Sequence, residues 1–128
     1  MPGLPALVMA IETAMSGHIV IEYLYRDGSN YKRFGCRMFA NPSGVTEEDI
    51  QLAFANAFRR AQLFPDVLSF DPVVLGWEAL FFEHHDAEAD DVTLHELVSV
   101  ESHPGDVEGA ACLERLLCKL AELAARQA

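Results

Sequence analysis

Residues 18–40 read HIVIEYLYRDGSNYKRFGCRMFA, and the fold turns on them. The first eight are dense in β-branched and aromatic side chains. Residues 26–30 carry the turn dipeptide Asp27-Gly28, and residues 31–40 return to an extended alternation of Phe34, Cys36 and Met38 against Arg33, Gly35 and Arg37. Two such runs about a loop of roughly five residues predict a β-hairpin. In the first run Ile19, Ile21, Tyr23 and Tyr25 oppose Val20, Glu22 and Leu24, so both faces are partly apolar and the strand reads as central to its sheet. In the second run, the company of Phe34 and Met38 predicts that Cys36 packs as a small core residue.

Working outward, Asn41-Pro42-Ser43-Gly44 punctuates the chain, and Thr46 precedes Glu47, Glu48 and Asp49. A capping hydroxyl followed by acids is how a helix begins, because the exposed N–H groups and the helix dipole both favour negative oxygen there. The stripe Ile50, Ala53, Phe54, Ala57, Phe58 and Ala61 extends this helix over 47–63, with Phe54 and Phe58 toward the sheet and Arg59 outward. Across 64–82, Pro65 and Pro72 interrupt a strongly apolar run, which leaves short strands or irregular core-covering chain as alternatives. Residues 92–101 read as a further strand. Pro104-Gly105-Asp106 then opens a helix over 107–127 whose Leu113, Leu116, Leu117, Leu120 and Leu123 share one arc. That arc either completes the core or forms a self-complementary dimer contact, and its length favours the dimer. At the other end, Leu4, Leu7, Val8, Ile11 and Met15 predict a short helical extension over 1–17, closed by Gly17. The expected fold is α+β: one domain over 1–128, with a small, mainly antiparallel sheet built on the hairpin, an amphipathic helix packed on it and a C-terminal helix.

Composition agrees with a single folded domain, since 51% of the 128 residues are hydrophobic. Cys36, Cys112 and Cys118 are odd in number and show no C-x-x-C spacing, which predicts reduced thiols and a cytoplasmic protein. The apolar residues 1–11 lack a basic start and are interrupted by Glu12, so neither a signal peptide nor a membrane span is expected there. The net charge of −11 is segregated: residues 61–114 hold thirteen acids without one Lys or Arg. Such a field repels polyanions, which argues against nucleic-acid binding, and attracts cations or basic surfaces.

Ile21-Glu22-Tyr23-Leu24-Tyr25-Arg26-Asp27-Gly28-Ser29-Asn30-Tyr31-Lys32, with Leu80-Phe81-Phe82-Glu83 and His95-Glu96 further on, resembles a family of small uncharacterised bacterial proteins sharing the pattern I-E-Y-x-Y-R-D-x-x-N-Y-K. The resemblance covers roughly residues 18–101 and implies a bacterial, intracellular protein. It brings no activity with it. The chain departs from that family in its first residues and in its leucine-rich C-terminal helix.

Three constellations are candidates for function. At the hairpin tip, Arg26, Asp27, Asn30, Tyr31 and Lys32 gather donors and acceptors, and His95 and Glu96 approach if the strands pair; this is the candidate binding site. The structural alternative is that Asp27 and Asn30 make turn hydrogen bonds while Arg26 and Lys32 solvate the strand ends. Next, His84, His85 and Asp86 with His95 offer the donors that divalent metals use, although their spacing matches no zinc motif such as H-E-x-x-H. A metal-dependent enzyme built on residues 84–96 is therefore the alternative function. Last, the acidic field itself suits a basic protein partner or a mimic of nucleic acid. With no G-x-S-x-G elbow, phosphate-cradling loop or dinucleotide fingerprint, no catalytic residue is assigned. The preferred expectation is a non-enzymatic interaction or regulatory module without a cofactor, acting on a protein partner or on itself as a homodimer.

Overall fold

The computed structural model describes residues 17–27, 29–62, 66–81 and 94–127. Their elements are β1 (Gly17–Arg26), β2 (Lys32–Ala40), α1 (Glu47–Ala57), β3 (Leu68–Phe70), β4 (His95–Pro104), β5 (Ala111–Cys112) and α2 (Leu113–Arg126). The strands form one sheet in the order β3-β4-β1-β2-β5, antiparallel except where β5 runs beside β2. This is the α+β architecture that the hairpin predicts, with β1 at the centre. The expected helical extension over 1–17 and residues 82–93 fall outside the described residues, apart from Gly17, which begins β1.

The hairpin closes through Asp27, whose carboxylate accepts from the backbone N–H groups of Ser29 and Tyr31, both at 2.9 Å. Asn30 takes a left-handed conformation (φ 68°), which Asn tolerates better than most residues. On the opposite side of β1 the register with β4 shifts between Glu22 and Tyr23, leaving Val98 as the extra residue of a bulge.

Both helices lie on the face formed by Ile19, Ile21, Tyr23 and Tyr25. Thr46 caps α1 by accepting from the Asp49 N–H at 3.1 Å, and Ile50, Phe54 and Ala57 are buried as the stripe predicts. Phe58 is buried and Arg59 exposed, also as expected. Helix α1 ends earlier than the stripe suggests, giving way to a 3-10 turn at Arg59–Ala61. The cause is Gln62: its side chain donates to the carbonyls of Phe58 and Ser69 and accepts from the Ser69 N–H, so it ties the chain to β3 instead of continuing the helix.

After β3, Asp71 accepts from the Val73 N–H to start a 3-10 turn at Pro72–Leu75, and Gly76 (φ 77°) ends it. Trp77 then enters the core, its ring 5.4–5.9 Å from those of Tyr23, Phe39, Phe54 and Phe70. Residues 77–81 run irregularly over the helix-side face of the hairpin. Tyr23 Oη donates to the Glu78 carbonyl at 2.9 Å, and Arg33 Nη1 donates to the Phe81 carbonyl at 3.1 Å. Gly35 makes this crossing possible, because a Cβ there would stand 3.1 Å from the Leu80 methyls and 3.3 Å from the Tyr23 ring.

This crossing corrects the expectation for Cys36. Arg33, Gly35 and Arg37, not Phe34, Cys36 and Met38, face the covered side of β2, and Cys36 is exposed. Both arginines reach the chain that crosses there, the Arg37 guanidinium lying 5.6 Å from the Trp77 ring centre.

The strand expected over 92–101 lies at His95–Pro104, and the helix expected over 107–127 begins at Leu113 because Ala111 and Cys112 pair with Phe39 and Ala40. Leu113, Leu116 and Leu120 are buried in the chain's own core, and Leu117 and Leu123 pack against it. The leucine arc therefore completes the core of a single chain.

Candidate functional site

Strand pairing brings the hairpin tip and β4 together. Arg26 Nε donates to Glu96 Oε2 at 2.8 Å and Nη2 lies 3.4 Å from Oε1, while Nη1 donates to Asn30 Oδ1. The bond to Glu96 raises the Arg26 pKa further above its ordinary value, so the guanidinium stays charged. At this partial exposure such a pair contributes about 0–1 kcal/mol, and its main effect is to fix the tip's geometry. Asp27 is buried beneath it in the turn. Tyr31 is 66% exposed, and Lys32 is exposed beside it.

His95 goes the other way. It is fully buried, its Nε2 accepting from the Leu80 N–H at 2.9 Å, with the rings of Tyr25 and Phe81 5.0 and 5.4 Å away. An imidazole nitrogen that accepts from a backbone N–H has its lone pair engaged, so His95 serves the core and does not join Glu96 at the surface. His84, His85 and Asp86 lie outside the described residues. Among the described residues no group of three or more His, Cys, Asp or Glu is placed to hold a metal ion.

The fold thus accounts for most of the hairpin motif: Ile21, Tyr23 and Tyr25 build the core, and Arg26, Asp27 and Asn30 build the tip. Glu22, Tyr31 and Lys32 are left over. They border a second feature, the face of the sheet turned away from the helices. Cross-strand partners share a face, and on this one the β2–β1–β4 rows are Ala40, His18, His103; then Met38, Val20, Glu101; then Cys36, Glu22, Ser99; then Phe34, Leu24, Glu96; with Lys32 and Arg26 ending the series. The β2 side is apolar and open, Phe34 being 56% and Met38 42% exposed, whereas the β4 side is acidic.

Phe34 and Met38 escape a reading by alternation alone, which gives two faces without saying which is inward. A signal for the right choice does exist in the sequence: Gly35 between Arg33 and Arg37 marks a place where another chain segment passes closely.

At the far end of the sheet an open depression of about 530 Å³ is lined by His18, Asn41, Thr46, Glu47, Ser102 and His103, among others. Its polar groups bond within the chain. His18 Nδ1 is 2.9 Å from the Gly105 carbonyl, His103 Nε2 is 3.4 Å from Glu101, and Glu47 accepts from the Ser102 N–H. Acids in the first turn of α1 oppose anion binding there. Comparison with protein-family models, curated proteins and solved structures finds no match. No described helix is long and apolar enough to cross a membrane.

Proposed function

We propose that this protein is a non-enzymatic interaction module whose working surface is the face of its sheet turned away from α1 and α2, centred on the exposed Phe34 and Met38. The observation that carries this function is the exposure of Phe34 and Met38 on a regular strand paired along its length with β1. Large apolar side chains held open on a rigid sheet, beside Glu22 and Lys32, which join no ion pair among the described residues, are what a protein-binding surface presents. The hairpin tip frames one end of that surface, where Lys32 and Tyr31 supply polar and aromatic contacts. The free, exposed thiols of Cys36, Cys112 and Cys118 support a reducing, cytoplasmic setting.

The test compares wild type with Phe34→Asp in affinity capture from the source cell, with untagged copies of the chain included. This function predicts that Phe34→Asp loses the proteins that wild type holds, while its melting temperature in dilute solution stays unchanged. An identical captured set for both would overturn it.

A further inference from the structure

We infer that the face turned away from α1 and α2 docks on the same face of a second copy of this chain, with the β1 strands of the two copies antiparallel. This rests on the function proposed above and names its partner. The charges along the face carry it. Around the Leu24–Phe34 pair, one row toward the strand start holds Glu22 opposite Cys36, and one row toward the tip holds Arg26 opposite Lys32. Along β1 and β2 the order is acid, apolar pair, base, with Glu96 flanking the apolar pair on β4.

Such an order is its own complement. A twofold axis lying in the interface, perpendicular to the strands and passing over the Phe34–Leu24–Glu96 row, stacks Phe34 of one copy on that of the other, Leu24 being buried within its own chain; it brings each Glu96, already held by its own Arg26, toward the partner's Glu96, and sets each Glu22 beside the partner's Arg26–Lys32 row. A parallel arrangement would instead face acid with acid and base with base. Within one chain, Arg26 is already engaged by Glu96, and among the described residues neither Glu22 nor Lys32 joins an ion pair. Glu22 is half-buried at the middle of the apolar surface, a costly place for a carboxylate unless a cation reaches it. Two protomers of a chain that carries −11 repel at long range, and this register offsets part of that by setting Glu22 of each beside cationic side chains of the other.

Sedimentation equilibrium from about 5 to 500 µM, with peptide-resolved labelling of the cysteines, tests the proposal. Wild type should self-associate as concentration rises. Cys36, on the docked face, should then label at least several-fold more slowly, while Cys118 on α2 keeps its rate. Lys32→Glu and Glu22→Lys should each weaken association tenfold or more, and the double charge swap should restore it. Restoration is something a merely structural role, or an unspecific apolar contact, would not produce. A wild-type protein that stays monomeric at 500 µM overturns the second copy as occupant while leaving the face free to bind another protein. If Cys36 labelling in that monomer quickens on deletion of residues 1–16, the chain's own first segment is the occupant instead. Association unaffected by Phe34→Asp overturns the face itself. Association lost in both single variants and not restored in the double one overturns the antiparallel register.

Discussion

The two faces of the β1–β2 hairpin come from alternate residues of one stretch of chain, yet one is closed and the other open. On the covered face Ile19, Ile21, Tyr23 and Tyr25 meet α1, α2 and the Trp77 segment. On the open face Val20, Phe34 and Met38 are apolar enough to have served a core, but the described residues place no helix over them, and Leu24 beside them is buried. Hydrophobicity alone does not choose the inner face. The choice is made by what else in the chain arrives there, and here Gly35 admits the 77–81 segment on the arginine side of β2.

The largest effect that sharpens this contrast is in the core. Phe54→Ala removes a fully buried ring that packs edge-on to Phe70 and should cost about 3–5 kcal/mol in urea unfolding. Phe34→Ser, on the open face, should stay within about 0.5 kcal/mol in dilute solution. Similar losses for the two would erase the distinction between the faces.

Next in size is the turn that holds both faces in register. Asp27→Ala strips two backbone N–H groups of a charged acceptor and should cost about 1.5–3 kcal/mol. Lys32→Ala, five residues on, should be nearly silent in the same measurement.

A smaller, pH-dependent effect belongs to the covered face alone. Burial raises the Tyr23 phenol above its ordinary 10.0, Arg37 pulls it down and Glu78 pushes it up. The unfolded chain ionises near pH 10 while the folded one keeps its proton. The stability from this group is thus fully present below that pH and is lost as pH rises through the folded value. Melting temperatures between pH 9 and 11.5 should fall more steeply for wild type than for Tyr23→Phe, and equal slopes would place Tyr23 in contact with water.

The smallest effect is that of salt. Because the thirteen acids of residues 61–114 far outnumber the bases that can reach them, raising ionic strength from about 0.01 to 0.15 M should raise the melting temperature of the dilute monomer. A steady fall with sodium chloride would mean that pairs such as Arg26–Glu96 outweigh the repulsion.

Much of the fold was legible in the sequence where local signals agree with one another. The hairpin and its five-residue loop, the central position of β1, the Thr46 cap and the inward Phe54 and Phe58 all follow from periodicity and turn chemistry. The misread places share a long-range cause. Cys36 reads as inward because alternation leaves the inward face undetermined, α1 stops early because Gln62 finds Ser69, and α2 starts late because Ala111 pairs with Phe39. At the candidate site, the joining of Arg26, Asn30 and Glu96 was legible, since strand pairing alone brings them together. The inward turn of His95 was not, because its partner is a backbone N–H in an irregular segment fifteen residues away.

The central claim is that the open face serves association and not the stability of the single chain. The most direct measurement is the melting temperature of wild type and Phe34→Ser across protein concentrations from about 1 to 500 µM. Self-association stabilises the folded state by mass action, so the wild-type value should climb with concentration while the variant stays flat at the wild type's dilute value. A variant that melts lower by the same margin at every concentration would contradict the account, for Phe34 would then belong to the core.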